Sequence, residues 1–125
     1  LQWKIMITKY KQGLALLNKL HGGHTGETIL NNFASICPKM AEMTIEMVFG
    51  DLLQRKELDM KTRELTIIAS LVTLGHSLKQ VRSHAEAAIV VGATKTEIAE
   101  VILQTAYFAG FPAAANALIE IKDLF

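Results

Sequence analysis

The chain has 125 residues, half of them apolar, with two prolines and a formal net charge of +1. That length fits a single domain spanning residues 1–125, able to bury roughly two-thirds of its unfolded surface. Acids and bases are interspersed and no apolar run approaches the ~18 residues that cross a bilayer, which argues against nucleic-acid binding, a polybasic membrane patch and a membrane span.

The N-terminal LQWKIMITKYKQ carries neither a signal-peptide hydrophobic region nor a small-residue cleavage site, and Leu1 in place of an initiator methionine suggests a processed or truncated chain. A soluble cytoplasmic protein is the expectation. From Trp3 to Leu20, apolar residues fall at Trp3, Met6, Ile7, Tyr10, Leu14, Leu17 and Leu20, a helical repeat with lysines on the other side. Gly22 and Gly23 break this helix. The flanking His21 and His24 have no acid or cysteine ligand beside them, and no metal is expected. Gly26 to Ile36 reads as a second, shorter helix, and Pro38 fits the first turn of a third that runs to Phe49. On that third helix Met40, Met43 and Met47 recur at spacings of three and four, read as a malleable core stripe. Cys37, the single cysteine, forbids an intramolecular disulfide and gives no sign of an oxidising compartment; with no base beside it in sequence, it reads as a buried, inert thiol. Gly50 to Leu58 is polar and reads as a loop.

The second half is better punctuated. Asp59 is a plausible N-cap, and no Gly or Pro follows until Gly75, so about four helical turns are expected. Ser77 with Gln80 has the capping-box pattern for the next helix, which Gly92 ends. Thr94 with Glu97 repeats the pattern for a helix ending at Gly110, and Pro112 opens a last one. The total is six to seven helices with no convincing strand and no repeat, an all-α, bundle-like domain. Apolar arcs this wide on a small domain imply self-association.

Two polar residues stand out against their surroundings. With Glu64 at zero on a wheel of about 100 degrees per residue, Ile68, Leu71, Val72, Ile67 and Leu65 lie within about 100 degrees of it, and Thr66, Ser70 and Thr73 lie opposite. His84 likewise shares a side with Val81, Ala88 and Val91. The short Gly75-His76-Ser77 turn makes the two helices antiparallel neighbours, with Glu64 and His84 offset by roughly 6 Å along the axes. A carboxyl–imidazole pair is therefore feasible, able to run acid–base chemistry. The alternative is that both residues only hold helices together. Arg63, at the edge of the arc, could reach a neighbour or an anionic ligand. His76 is expected to be exposed, and Gln104 with Tyr107 to line a pocket or, by preference, an interface. No phosphate loop, nucleophile elbow or metal-binding helix motif is present, so no cofactor is expected.

The Lys61-Thr62-Arg63-Glu64-Leu65 segment, His84-x-x-x-Ala88, Gly92-Ala93-Thr94 with Glu97-Ile98 and Glu100-Val101, and Gly110-Phe111-Pro112-Ala113 occur in fixed order. Over about Phe49 to Leu118 the chain resembles the carboxymuconolactone decarboxylase family, of the alkyl hydroperoxidase D-like fold type. The resemblance implies an all-α domain assembling as a trimer or hexamer. It also implies one of two chemistries: cofactor-free decarboxylation of a lactone acid, or thiol-based hydroperoxide reduction of the peroxiredoxin type. The second uses a Cys-x-x-Cys pair whose second cysteine stands four residues before the histidine that His84 matches. Here those places are Ser77 and Gln80, which cannot form a thiolate. A lyase acting on a small carboxylated substrate is the preferred reading, with His84 and Glu64 catalytic and Arg63, Ser77 and Gln80 contacting substrate. A hydroperoxidase and a non-catalytic oligomeric binding module are the alternatives.

Overall fold

The computed structural model describes residues 2–125, without the side chains of Trp3 and Met6. Leu1 and those two apolar positions of the first helical repeat lie outside the described residues. The chain groups into two compact units, Leu1–Leu58 and Asp59–Phe125. Both are helical, and no strand occurs among the described residues.

In the first unit, α1 (Gln2–His21) is followed by α2 (Thr25–Ala34) and α3 (Pro38–Met43). Gly23, at a φ of 75°, makes the reversal after α1 that the glycine pair predicts. Pro38 opens α3, where its missing N–H costs nothing. The helix expected to reach Phe49 does so in two forms: beyond Met43 it widens into a π-helical stretch, Thr44–Phe49, closed by a Gly50 N–H to Ile45 carbonyl bond of 2.8 Å. Within the expected loop, Leu52–Gln54 forms a single 3₁₀ turn whose Gln54 amide donates to the Phe49 carbonyl. Leu17, Leu20, Ala41, Ile45, Phe49 and Leu53 are buried here.

Two expectations fail in this unit. Met40, Met43 and Met47 are exposed, because Ala41, Ile45 and Phe49 take the inward face of the same helix. Cys37, at the turn that precedes Pro38, is also exposed rather than buried. His21 is buried with its ring edge-on to Phe49 at 5.5 Å, while His24 lies exposed at the start of α2. No group of three or more His, Cys, Asp or Glu side chains suited to a metal occurs among the described residues.

The second unit follows its punctuation closely. Helix α4 (Met60–Leu74) starts at Asp59, whose carboxylate accepts from the Thr62 N–H at 2.7 Å, and ends at Gly75 in the left-handed conformation. Helix α5 (Leu78–Val90) starts after Ser77, but the capping box expected there does not form. The Ser77 hydroxyl lies 3.3 Å from the His76 ring instead, and Gln80 is exposed. Helix α6 (Lys95–Ala109) carries a complete capping box between Thr94 and Glu97, and α7 (Phe111–Glu120) follows Gly110 at a φ of 109°. A 3₁₀ turn, Lys122–Leu124, ends the chain. Ile68, Val72, Val81, Ala85, Ala88, Ile98, Ile102, Ala106, Ala114, Ala117 and Ile121 form one core. Small side chains dominate α5 and α7, which lets four helices pack around few large residues.

Glu97 links two of these helices. Its carboxylate accepts from the Thr94 N–H and from Lys61 of α4 at 2.9 Å, and these bonds, the backbone one foremost, hold its pKa below the ordinary glutamate value. Between the folded and unfolded pKa values the unfolded chain binds more protons, so stability rises with pH there. The contribution is complete above the usual carboxylate range, about pH 4.3, and is lost as pH falls through the lower folded value. Glu97→Gln should therefore melt below the wild type at neutral pH, with the gap closing as pH falls below the usual carboxylate range and through the lowered folded value. A gap unchanged across that range would refute the linkage.

Candidate active site

Glu64 sits in the first turns of α4, at the head of a stripe that continues through Ile68 and Val72, both buried. Its own side chain is 0 % exposed. His84 stands on α5 between Val81, Ala85 and Ala88, all buried, and its side chain keeps 17 % of its surface accessible. The tight turn at Gly75 lays α5 back along α4. The axial offset expected from the sequence is spanned by the reach of the two side chains: His84 Nδ1 lies 2.7 Å from Glu64 Oε2. With Glu64 as the carboxylate, Nδ1–H donates, and Nε2 becomes the basic nitrogen of the neutral ring.

The other glutamate oxygen, Oε1, is buried and takes no hydrogen bond among the described residues. The hydrogen bond from the imidazole helps compensate this carboxylate for leaving water, a penalty of several kcal/mol for an isolated ion. Such a pair does two things at once. The carboxylate fixes the ring's tautomer and orientation, and it stabilises the imidazolium form when the ring takes a proton.

The remaining expected site residues are less closely gathered. Arg63, placed by the wheel at the edge of the arc, is drawn in to 9 % exposure. Gln80 and Ser77 precede His84 by one and two turns of α5; Gln80 is exposed and Ser77 half-buried. Ser83, next to His84, is buried and donates its hydroxyl to the Gln80 carbonyl at 3.0 Å. His76 is exposed as expected. Gln104 and Tyr107, read as lining a pocket or an interface, are exposed on this chain, the latter with its ring 5.6 Å from that of Phe111.

One supporting residue was not legible. Arg82 on α5 reads from the wheel as a side chain pointing away from the apolar face. In the structure it forks onto the Asp123 carboxylate and onto the Glu120 carbonyl at the end of α7. The hydrogen bond to Asp123 raises its pKa, and the same bond lowers that of Asp123. It thereby ties the C-terminal turn to the helix that carries His84. A partner 41 residues away leaves no local signal.

A sequence model described as the carboxymuconolactone decarboxylase family matches residues 38–123, which is more than half of the chain. The chain belongs to the carboxymuconolactone decarboxylase family. The match extends further at both ends than the 49–118 core read from motifs. Both members of the buried pair, and the Ser77 and Gln80 positions, lie inside it. Among relatives in this family, the chain is similar to 4-carboxymuconolactone decarboxylase of Acinetobacter baylyi, 30% identical over 94% of this chain and 87% of that one. It is also similar to nitrosuccinic acid decarboxylase of Metarhizium robertsii, 30% identical over 88% of this chain and 76% of that one. An uncharacterized 15.0 kDa protein of Paracoccus denitrificans is 39% identical over 66% of this chain and 63% of its own length. No helix among the described residues is long and apolar enough to cross a membrane.

Proposed function

We propose that this protein decarboxylates a small carboxylic acid whose carboxylate stands next to a group able to take up the electron pair, with His84 as the proton donor. The observation that carries the reading is the 2.7 Å bond between a fully buried Glu64 and a partly accessible His84. The two relatives named as decarboxylases supply the substrate class. A lactone carbonyl and a nitro group each delocalise the negative charge left when the C–CO₂ bond breaks. The substrate is then its own electron sink, and the step needs no cofactor.

In this reaction the carboxylate leaves as CO₂, its bonding pair passes into the acceptor group, and a proton returns to carbon. His84 in its imidazolium form delivers that proton from Nε2 and is recharged from solvent through its accessible edge. The net change is uptake of one proton and release of one CO₂. Glu64 holds Nδ1–H and stabilises the charged ring; Arg63, Ser77 and Gln80 are assigned to the substrate, Arg63 to an anionic group. Ser77 and Gln80 stand where a dithiol reductase would carry its cysteines, which disfavours hydroperoxide reduction.

The test is CO₂ release and substrate loss with 4-carboxymuconolactone and with nitrosuccinic acid as probes. Turnover of at least one is expected, and Glu64→Gln, which keeps the shape and loses the charge, should lower kcat on the order of 10²-fold. Unaltered turnover in that variant would remove Glu64 from the mechanism.

Assembly belongs to the same reading. Tyr107, Phe108, Phe111 and Ile119 are exposed on the second unit, Phe108 to 89 %. So many large apolar groups in one short stretch support a homo-oligomer, a trimer or hexamer, because water contact costs each of them about 1.5–3 kcal/mol relative to burial. Light scattering should return a mass three or six times that of the chain; a monomer at micromolar concentration would contradict it.

A further inference from the structure

Four of the chain's six sulfur-bearing residues, Cys37, Met40, Met43 and Met47, fall within the eleven residues 37–47. All four are exposed. They also share one place: together with Thr44, Val48 and Lys39, whose ammonium is paired with Glu42 at 3.1 Å, they line a single shallow concavity of about 350 Å³ on the outer face of α3 and the π-helical stretch that continues it. The spacing explains this. Residues three or four apart on a helix share a face, about 5–6 Å between Cβ atoms, so Met40 and Met43 of α3 stand together, with Cys37 at the N-cap just before them and Met47 in the π-helical stretch beyond.

We propose that this face is a binding site for a soft monovalent metal ion, Cu(I), held by the Cys37 thiolate and the thioethers of Met40 and Met43. Thioethers and thiolates are the donors that select Cu(I), whereas zinc, iron and calcium take imidazole, carboxylate or several thiolates. No group of three His, Cys, Asp or Glu side chains gathers among the described residues. Long, unbranched methionine side chains can swing their sulfurs toward one centre, and Met47, four residues beyond Met43, lies next in line as an alternate donor. Binding forms one Cu–thiolate bond and two Cu–thioether bonds, and the Cys37 thiol proton passes to solvent; no electron is transferred. The proposal stands apart from the decarboxylation, which uses none of these residues.

The competing explanation is that the methionines are simply an apolar docking face. Methionine and leucine are alike in volume and apolarity, and only methionine carries a sulfur donor, so Met→Leu separates the two. The experiment titrates the full chain with Cu(I) under anaerobic conditions against the chromophoric chelator bicinchoninate, with a non-thiol reductant present. The wild type should withhold one equivalent from the chelator. Cys37→Ser should weaken binding most, and Met40→Leu and Met43→Leu each by at least about tenfold; Met60→Leu, on the second unit, should bind as the wild type does. Circular dichroism confirms that each variant keeps its helices. If the wild type yields all its Cu(I), or if Met40→Leu with Met43→Leu binds as tightly as the wild type, the site does not exist. Loss in Cys37→Ser alone, with the methionine variants unaffected, would reduce it to ordinary thiol chemistry and equally overturn the proposal.

Discussion

Replacing His84 by Asn should lower kcat for decarboxylation by about 10²–10⁴-fold, the usual contribution of a positioned acid or base. In barrier terms that is about 3–5 kcal/mol. The ring is the donor in the proposed step, and an amide cannot exchange a proton near neutral pH. KM should change much less, since His84 is assigned to the transfer of a proton and not to holding the substrate. The substitution also removes the hydrogen-bond partner of a fully buried carboxylate, which by itself can cost about 3–5 kcal/mol of stability. Circular dichroism and a melting curve must therefore accompany the kinetics. The double variant Glu64→Gln with His84→Asn provides the internal control. Neutralising Glu64 relieves the stranded charge and restores stability, while activity should fall no further than in His84→Asn alone, because the two residues act as one unit. A folded His84→Asn protein with unchanged kcat would overturn the assignment.

The second large effect is expected far from chemistry, at Gly13 in the middle of α1. For an isolated helix, Gly→Ala at such a position stabilises by roughly 0.5–1 kcal/mol. Here the sign should reverse. A Cβ on Gly13 would stand 2.8 Å from the Gly50 nitrogen and closer still to the Ile45 carbonyl oxygen. A Cβ on Gly50 would press equally on the Lys9 carbonyl and stand 2.7 Å from that of Glu46. Both obstacles are backbone, which cannot swing aside as a side chain would. The two glycines let α1 and the π-helical stretch touch main chain to main chain. Gly13→Ala should destabilise by about 3 kcal/mol or more, the upper range for overpacking. Urea unfolding measures this directly, and a variant as stable as the wild type would show that the contact is loose.

These two sites differ in how they could be read. Glu64 and His84 announce themselves, because a titratable residue in the centre of an apolar arc is anomalous on its own helix. Only the short turn at Gly75 was then needed to place them as neighbours. Gly13 sends no such signal. It interrupts an otherwise regular pattern, and a wheel cannot show that another backbone fills the space a Cβ would need. The methionines mislead for a related reason. Periodicity shows that Met40, Met43 and Met47 share a face, yet Ala41, Ile45 and Phe49 share another, and the choice between two apolar faces belongs to the neighbours. Ser77 and Gln80 have the letters of a capping box, but whether a side chain turns onto the backbone depends on competing partners, here the His76 ring.

The sequence by itself determined the all-helical class, the helix ends of the second unit, the family and the two residues of the buried pair. Each is carried by local physics or by ordered motifs: a cap bonds three residues away, a left-handed glycine stops a helix where it stands, and an amphipathic stripe is counted along one element. The tertiary structure alone decided which apolar face of 38–49 turned inward, that Cys37 stayed at the surface, that Arg82 reached Asp123, and that two glycines met at a helix contact. Those outcomes depend on energies between segments distant in sequence, where burial and backbone clearance are properties of the assembled fold rather than of any one stretch of chain.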